Sequence, residues 1–529
     1  IVGAHPRVRP KPGQTPLSET RSQNTRPYLW YAALLLICTA AFGLAALISL
    51  GIFEGIPHVE DEAAYLFQAQ VFAQGRLKVP TPLYPTSYWS PFVLDFEGQR
   101  FGKYPPGYPL LLSLGVLVGR PWIVNALLAS LGLGILAYAG RDIYSPVVGL
   151  LAAALGLTVP VFLAMSGTLL SHPTSLLFTC LFLWAYAGLI RKPPGTLRWG
   201  YSVIAGLGLG CLLVTRPFDA IGVSLPFALY LFVRGLRVDR DLLRQGVIIA
   251  AIVALFGLLL LTYWYSVAGT LGNPYTLLWP YDRPGFGPDL GPEGYTLATG
   301  QRYLRVNLRD LATGFLGWPG YLNVLFLLLA FILRPRDRWN YLLLTGFLSL
   351  AALHVTYWYY GGRDAGFPRY YYAGLPMLLL LTARGIELAA VALQRLSRRV
   401  RLPYAQSSAK ANLPIAHLPI YLALIALTLY NALVFLPPNL NAFRGKSGIT
   451  AAPLRVAQKA GLTNAIVFVP GVDHWYDFAV FFSANSPTLD SDVVYAIYGN
   501  EPQARAVRDL SPDRDCYVQS ESELLPCPF

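Results

Sequence analysis

Apolar residues run along this chain in blocks of roughly 20, the length that carries an α-helix across the hydrocarbon of a bilayer. Bounded by charges or by Pro and Gly, about eleven blocks are expected to be helices: 28–53, 121–140, 147–165, 173–190, 201–215, 218–233, 246–268, 317–333, 341–357, 370–394 and 416–437. Long polar connections interrupt them at 54–120 and 269–316, and the pattern changes again from 438 onward.

Each of these longer pieces has its own pattern. In the first, Glu60 to Gln74 reads as a short helix, with acids in its first turn and Gly75 behind its end. Asp61, Tyr65, Gln68 and Phe72 share one face of it, a mixed surface that suits an interfacial helix. The segment 269–316, rich in Pro, Gly and Tyr, reads as an ordered loop over a site. After the linker-like PPNLNAFRG come a helix near 454–460, a strand at 465–469, the aromatic DHWYDFAVFF and a second strand near Val493, the pattern of a small α/β domain. The expected fold is therefore an α-helical multi-pass membrane protein (residues 1–437) with interfacial helices in its first outer loop, 54–120, and a C-terminal α/β domain (438–529).

Composition agrees, since 54% of the 529 residues are hydrophobic and only 13% are charged. The opening is rich in Pro and Arg and lacks a short apolar core with a cleavage site, so residues 28–53 are expected to be a retained membrane helix. Placing the N-terminus in the cytoplasm puts 21 of the 41 Lys/Arg on cytoplasmic connections with only 5 of the 28 acids, leaving 20 bases and 23 acids for the rest. That asymmetry follows the positive-inside rule and accounts for the net +13 without nucleic acid as a partner. It implies a plasma-membrane protein with its C-terminal domain outside. There Cys516 and Cys527 either pair in an oxidising compartment or remain two free thiols.

Candidate chemistry gathers at HVEDEAAY, His58 to Tyr65, where Glu60, Asp61 and Glu62 follow the first apolar block. One acid suffices to favour a helix N-terminus, and three at a membrane surface suggest a further role. The stretch DEAAYLFQAQ, followed by FGKYPPGYPLLLSLG at Phe101 to Gly115, resembles the polyprenyl-phosphate-dependent glycosyltransferases of the GT-C superfamily. Within it the likeness is to the branch of protein O-mannosyltransferases and the lipid A aminoarabinose transferase. It covers roughly residues 28–437 and is strongest over 54–180.

The resemblance implies a lipid-linked sugar donor, an acceptor hydroxyl on a glycan, lipid or protein, and an outer-side base that falls on Asp61. Glu62 or Glu60 would support it. It also implies inversion, because a single displacement needs one base and no covalent sugar intermediate. The departing phosphate needs cations. Lys103 in GKYPPGYP is the first candidate, the alternative being a lysine that snorkels to the interface. Arg216 stands in the helix-breaking TRPFDA, where a local pair with Asp219 is the simpler account. Arg369 and Arg363 lie in WYYGGRDAGFPRYYYAG, Arg369 being favoured by its place before an apolar block. Substrate contacts are expected from His58, Tyr65, Tyr104, His172 and Asp219, with Asp282 and Arg283 as loop candidates.

The stretch LLSHPTSLLF departs from the branch pattern, carrying Ser171 and His172 where a second acid is usual, which weakens the inference that this chain shares the branch's mannosyl donor or protein acceptor. No obligatory cofactor is expected. A divalent cation on Asp61 and Glu62 is the alternative, since hard carboxylate oxygens suit one. Asp473 and His474 in the tail read as structural. A transporter or lipid flippase would want ionisable groups at mid-membrane depth, and only Arg384 and Glu387 come near that. A non-catalytic scaffold leaves the acids unexplained.

Overall fold

The computed structural model describes residues 27–194, 196–361, 363–364, 367–399, 417–470, 476, 479–520 and 523–529. Every one of the eleven apolar blocks contains helix. After α1 (Pro27–Gly51), the segment 54–120 holds α2 (Glu60–Ala73), a sheet of β1 (Val79–Pro80), β2 (Val93–Phe96) and β3 (Gln99–Gly102), and α3 (Gly107–Leu117). The sheet is antiparallel, in the order β1-β3-β2. There follow α4 (Trp122–Ile143), α5 (Pro146–Gly156), α6 (Pro160–Gly167), α7 (His172–Arg191), α8 (Thr196–Leu213), α9 (Pro217–Arg237) and α10 (Asp241–Ala268). The segment 269–316 carries the one-turn α11 (Tyr275–Leu278) and α12 (Leu297–Gly314). Beyond it stand α13 (Leu322–Leu333), α14 (Arg338–His354), the short pair β4 (Arg363–Asp364) and β5 (Phe367–Pro368), α15 (Leu375–Arg399) and α16 (Leu418–Tyr430).

Among the described residues, seven helices are long and apolar enough to cross a bilayer, and α5 and α6, bent by 63° at the break between them, form a broken span or a re-entrant loop. The chain is a multi-pass membrane protein. Two expectations need correction. The block 147–165 is two helices, because Pro160 supplies no N–H to continue α5 and Val159 is extended before it. The segment 269–316 is a loop only as far as Thr296, whose hydroxyl accepts from the Thr299 N–H and starts an 18-residue helix. Its sequence buries Gly300, Asn307, Leu311 and Gly314 along one face, a helical period masked by the Pro and Gly that precede it.

Glycines let spans meet closely. A Cβ on Gly149 would lie 2.1 Å from the Ala137 carbonyl, where α5 meets α4, and one on Gly385 would lie 1.7 Å from the Phe326 carbonyl, where α15 meets α13. Small residues at such crossings let helices pack in lipid, where no hydrophobic effect drives them together.

The C-terminal part is α/β. Strands β6 (Ala465–Pro470), β7 (Val493–Tyr498), β8 (Asp515–Ser520) and β9 (Glu523–Pro526) form a sheet in the order β7-β6-β8-β9, parallel except for the β8–β9 hairpin. Cys516 and Cys527 are bonded across that hairpin, with Cα atoms 5.4 Å apart. Asp473 and His474 lie outside the described residues. The sheet unit sits on the segment that carries α2 and the β1–β3 sheet. Gln70 Nε2 donates to the Ser483 carbonyl at 3.1 Å, Gln503 Nε2 to Ser87 Oγ at 2.7 Å, and Arg455 pairs with Glu54 at 2.9 Å.

Candidate active site

The first turn of α2 separates three acids by direction. Glu62 turns inward and is 1% exposed. Its Oε2 accepts from the His58 and Val59 N–H groups at 2.5 and 3.2 Å, and its Oε1 from the Leu169 N–H at 2.7 Å. It thus ties the start of α2 to the turn before α7. Burial pushes its carboxyl up to about 7, against the pull of those three donors. With both oxygens engaged, Glu62 offers little to a cation, and among the described residues no group of three or more His, Cys, Asp or Glu is placed to hold a metal. Glu60 is half-buried, and its carboxyl is raised first by burial, then by Asp61. His58 is held by its neighbours, its Nδ1 lying 3.0 Å from the Ile56 carbonyl.

Asp61 points the other way. It accepts a hydrogen bond from the Tyr104 hydroxyl, and its Oδ2 lies 3.7 Å from Arg369 Nη2. Its neighbours come from three separate parts of the chain: α2, the turn after β3, and the segment that enters α15. The mixed face of α2 is enclosed by protein, with the Gln68 amide accepting from the Gly102 N–H at 2.8 Å and donating to the Leu77 carbonyl at 2.9 Å.

Lys103 is next to this group and is buried. Its Nζ stands over four rings, 3.5 Å from the centre of Phe92, 4.5 Å from Trp279, 4.7 Å from Tyr275 and 5.2 Å from Tyr104. Among the described residues no carboxylate lies within 4 Å of it. Burial lowers its basicity while Asp61, Asp282 and Glu60 hold it up. A cation over aromatic faces keeps its charge with few hydrogen bonds spent. Phe92 meets it from a left-handed backbone conformation (φ 60°), unusual for an aromatic residue, and the Phe92 carbonyl accepts the Lys103 N–H at 3.1 Å.

A second network adjoins the first. Tyr65 stacks on Tyr104 at 4.3 Å and its hydroxyl lies 3.1 Å from Ser171 Oγ, which receives Arg216 Nη1 at 3.4 Å. Arg216 Nε donates to Asp219 at 2.6 Å, and the other oxygen of Asp219 is 4.0 Å from His354 Nε2. The simple Arg216 and Asp219 pair is present, and through Ser171 it also reaches the site. His172 is buried edge-on to Tyr372, and among the described residues neither of its ring nitrogens has a hydrogen-bond partner. Asp282 is a brace, accepting from the Tyr357 hydroxyl at 2.6 Å and the Trp358 indole at 3.0 Å, while Arg283 pairs with Asp289 at the surface. Arg363 begins β4, and its side chain lies outside the described residues.

Sequence reasoning misses Phe92, Tyr275 and Trp279, which contribute rings from positions distant along the chain. The only signal for them is an excess of aromatics in polar outer segments, which an interfacial belt explains equally well.

No family model and no curated protein matches the sequence. Solved structures do match in fold. Crystalline ArnT from Cupriavidus metallidurans bound to undecaprenyl phosphate superposes with a TM-score of 0.56 at 14% identity, over 94% of this chain and 93% of that one. The archaeal oligosaccharyltransferase AglB from Archaeoglobus fulgidus, in complex with an inhibitory peptide and a dolichol-phosphate, gives 0.51 at 14% identity, over 93% of this chain and 69% of that one. Over most of its length the chain thus shares the fold of these two proteins.

Proposed function

We infer that this protein is an inverting membrane glycosyltransferase, which moves a sugar from a polyprenyl-phosphate donor to an acceptor hydroxyl on the extracytoplasmic side. The observation that carries the reading is the meeting of the Asp61 carboxylate with the Tyr104 hydroxyl and Arg369, beside the caged Lys103. Two proteins of the same fold were solved with a polyprenyl phosphate, which supports a donor of that class. In this reading Asp61 takes the proton as the acceptor oxygen bonds to the anomeric carbon. The anomeric carbon–oxygen bond breaks and its electron pair leaves with the polyprenyl phosphate. Lys103 and Arg369, with Arg216 behind them, hold the charge that develops on it. Tyr104 orients Asp61, and Glu62 fixes the helix that carries both acids. No obligatory metal is required by this scheme, and activity that survives chelation would agree with that. Acceptors are expected to be glycan, lipid or protein hydroxyls. The N-terminus lies in the cytoplasm and the C-terminal domain outside.

Replacing Asp61 by Asn should lower transfer of a radiolabelled sugar from polyprenyl phosphate on the order of 10²- to 10⁴-fold while leaving thermal unfolding unchanged. Full activity in that variant would remove Asp61 as the base.

A further inference from the structure

Helix α12 is not among the described helices long and apolar enough to cross a bilayer. Its inner face rests on the segments that leave α14 and enter α15. A Cβ on Gly300 would come within 2.4 Å of the Val355 carbonyl, Asn307 Nδ2 donates to the Tyr371 hydroxyl at 3.5 Å, and the Tyr360 hydroxyl donates to Asp310 at 3.4 Å. Its C-terminus turns through residues 315–321 into apolar α13, whose Leu322, Leu325 and Leu328 are exposed. Near its start α12 is therefore tied to the end of α14, and at its C-terminus to the start of α13.

The outer face is basic. Arg302, Arg305 and Arg309, spaced three and four apart, are exposed together, with exposed Val306 and Leu297 beside them. The helix has one acid, Asp310, and that is buried on the other face. Among the described residues none of the three arginines lies within 4 Å of a carboxylate. Their contacts are weak: Arg302 stands 5.5 Å from the Tyr303 ring and Arg305 Nε donates to the Gln301 carbonyl at 3.4 Å. Three unneutralised guanidinium groups flanked by apolar side chains, on a helix that leads into an apolar helix with exposed leucines, complement a surface of phosphate headgroups.

We propose that the Arg302, Arg305 and Arg309 face of α12 docks on anionic phospholipid headgroups of the leaflet on its own side. This holds independently of the glycosyl-transfer reading. Native mass spectrometry of the full chain in detergent, with phosphatidylglycerol or phosphatidylcholine added, tests it. The wild-type protein should retain phosphatidylglycerol in preference, less so as salt rises. Arg302→Gln, Arg305→Gln and Arg309→Gln should each weaken the preference about five-fold, and lysine replacements should largely keep it. If the combined glutamine chain does not fold, the single Arg305→Gln chain carries the test. Equal retention of the two lipids by the wild-type protein, or equal preference in wild-type and glutamine chains, would overturn the proposal. A glutamine chain that keeps its lipid preference but has a raised KM for a polyprenyl-phosphate sugar would assign the face to substrate instead.

Discussion

Asp61 and Glu62 are adjacent in the chain and differ in everything that surrounds them. A step of about 100° along a helix sends one toward a hydroxyl and a guanidinium, and the other into three backbone N–H groups. Glu62 therefore reports on folding. A carboxyl that folding raises from 4.5 to about 7 binds its proton more tightly in the folded state. Its stabilising contribution is complete below about pH 4.5 and is lost as pH rises through about 7, up to roughly 3 kcal/mol. Melting curves in detergent should fall between about pH 5 and 8 for the wild-type protein and be flatter for Glu62→Gln. Equal slopes would remove Glu62 as their source. The acids themselves are legible in the sequence, because carboxylates placed beside an apolar block stand out. Their partners are not, since Tyr104 is 43 positions from Asp61 and only the folded loop brings them together.

At the level of elements, legibility follows the strength of the solvent argument. Twenty apolar residues have few fates other than a helix, so the blocks from 28–53 to 416–437 all contain helix, seven of them, among the described residues, long and apolar enough to cross a bilayer. Strands β1 to β3, two to four residues each, give too short an alternation to detect, and α12 is hidden behind a loop of Pro and Gly. The crossings are equally silent, because a glycine needed for contact looks like any other. Gly385 shows the cost. In an open helix Gly→Ala stabilises by about 1 kcal/mol, but here the methyl group would meet the Phe326 carbonyl. Gly385→Ala should instead lower stability by about 2–3 kcal/mol, read as a drop in melting temperature. An unchanged or higher value would mean that α13 and α15 separate freely.

The molecule as a whole joins a membrane part and a sheet-bearing part through the loop that carries Asp61. Gln70 on α2, Ser87 after β1 and Glu54 before α2 each bond to residues beyond 450. Neither the apolar pattern nor the charge asymmetry hints at this contact, because its hydrogen bonds come from scattered amides and hydroxyls. The C-terminal unit is consequently no passenger. A chain ended at Pro437 would lose none of the groups gathered around Asp61, yet one flank of the helix beneath them would be bare and wet. Such a shortened protein should still insert, resisting alkaline extraction from membranes, and should be catalytically silent. Undiminished turnover would mean that the loop keeps its shape unaided.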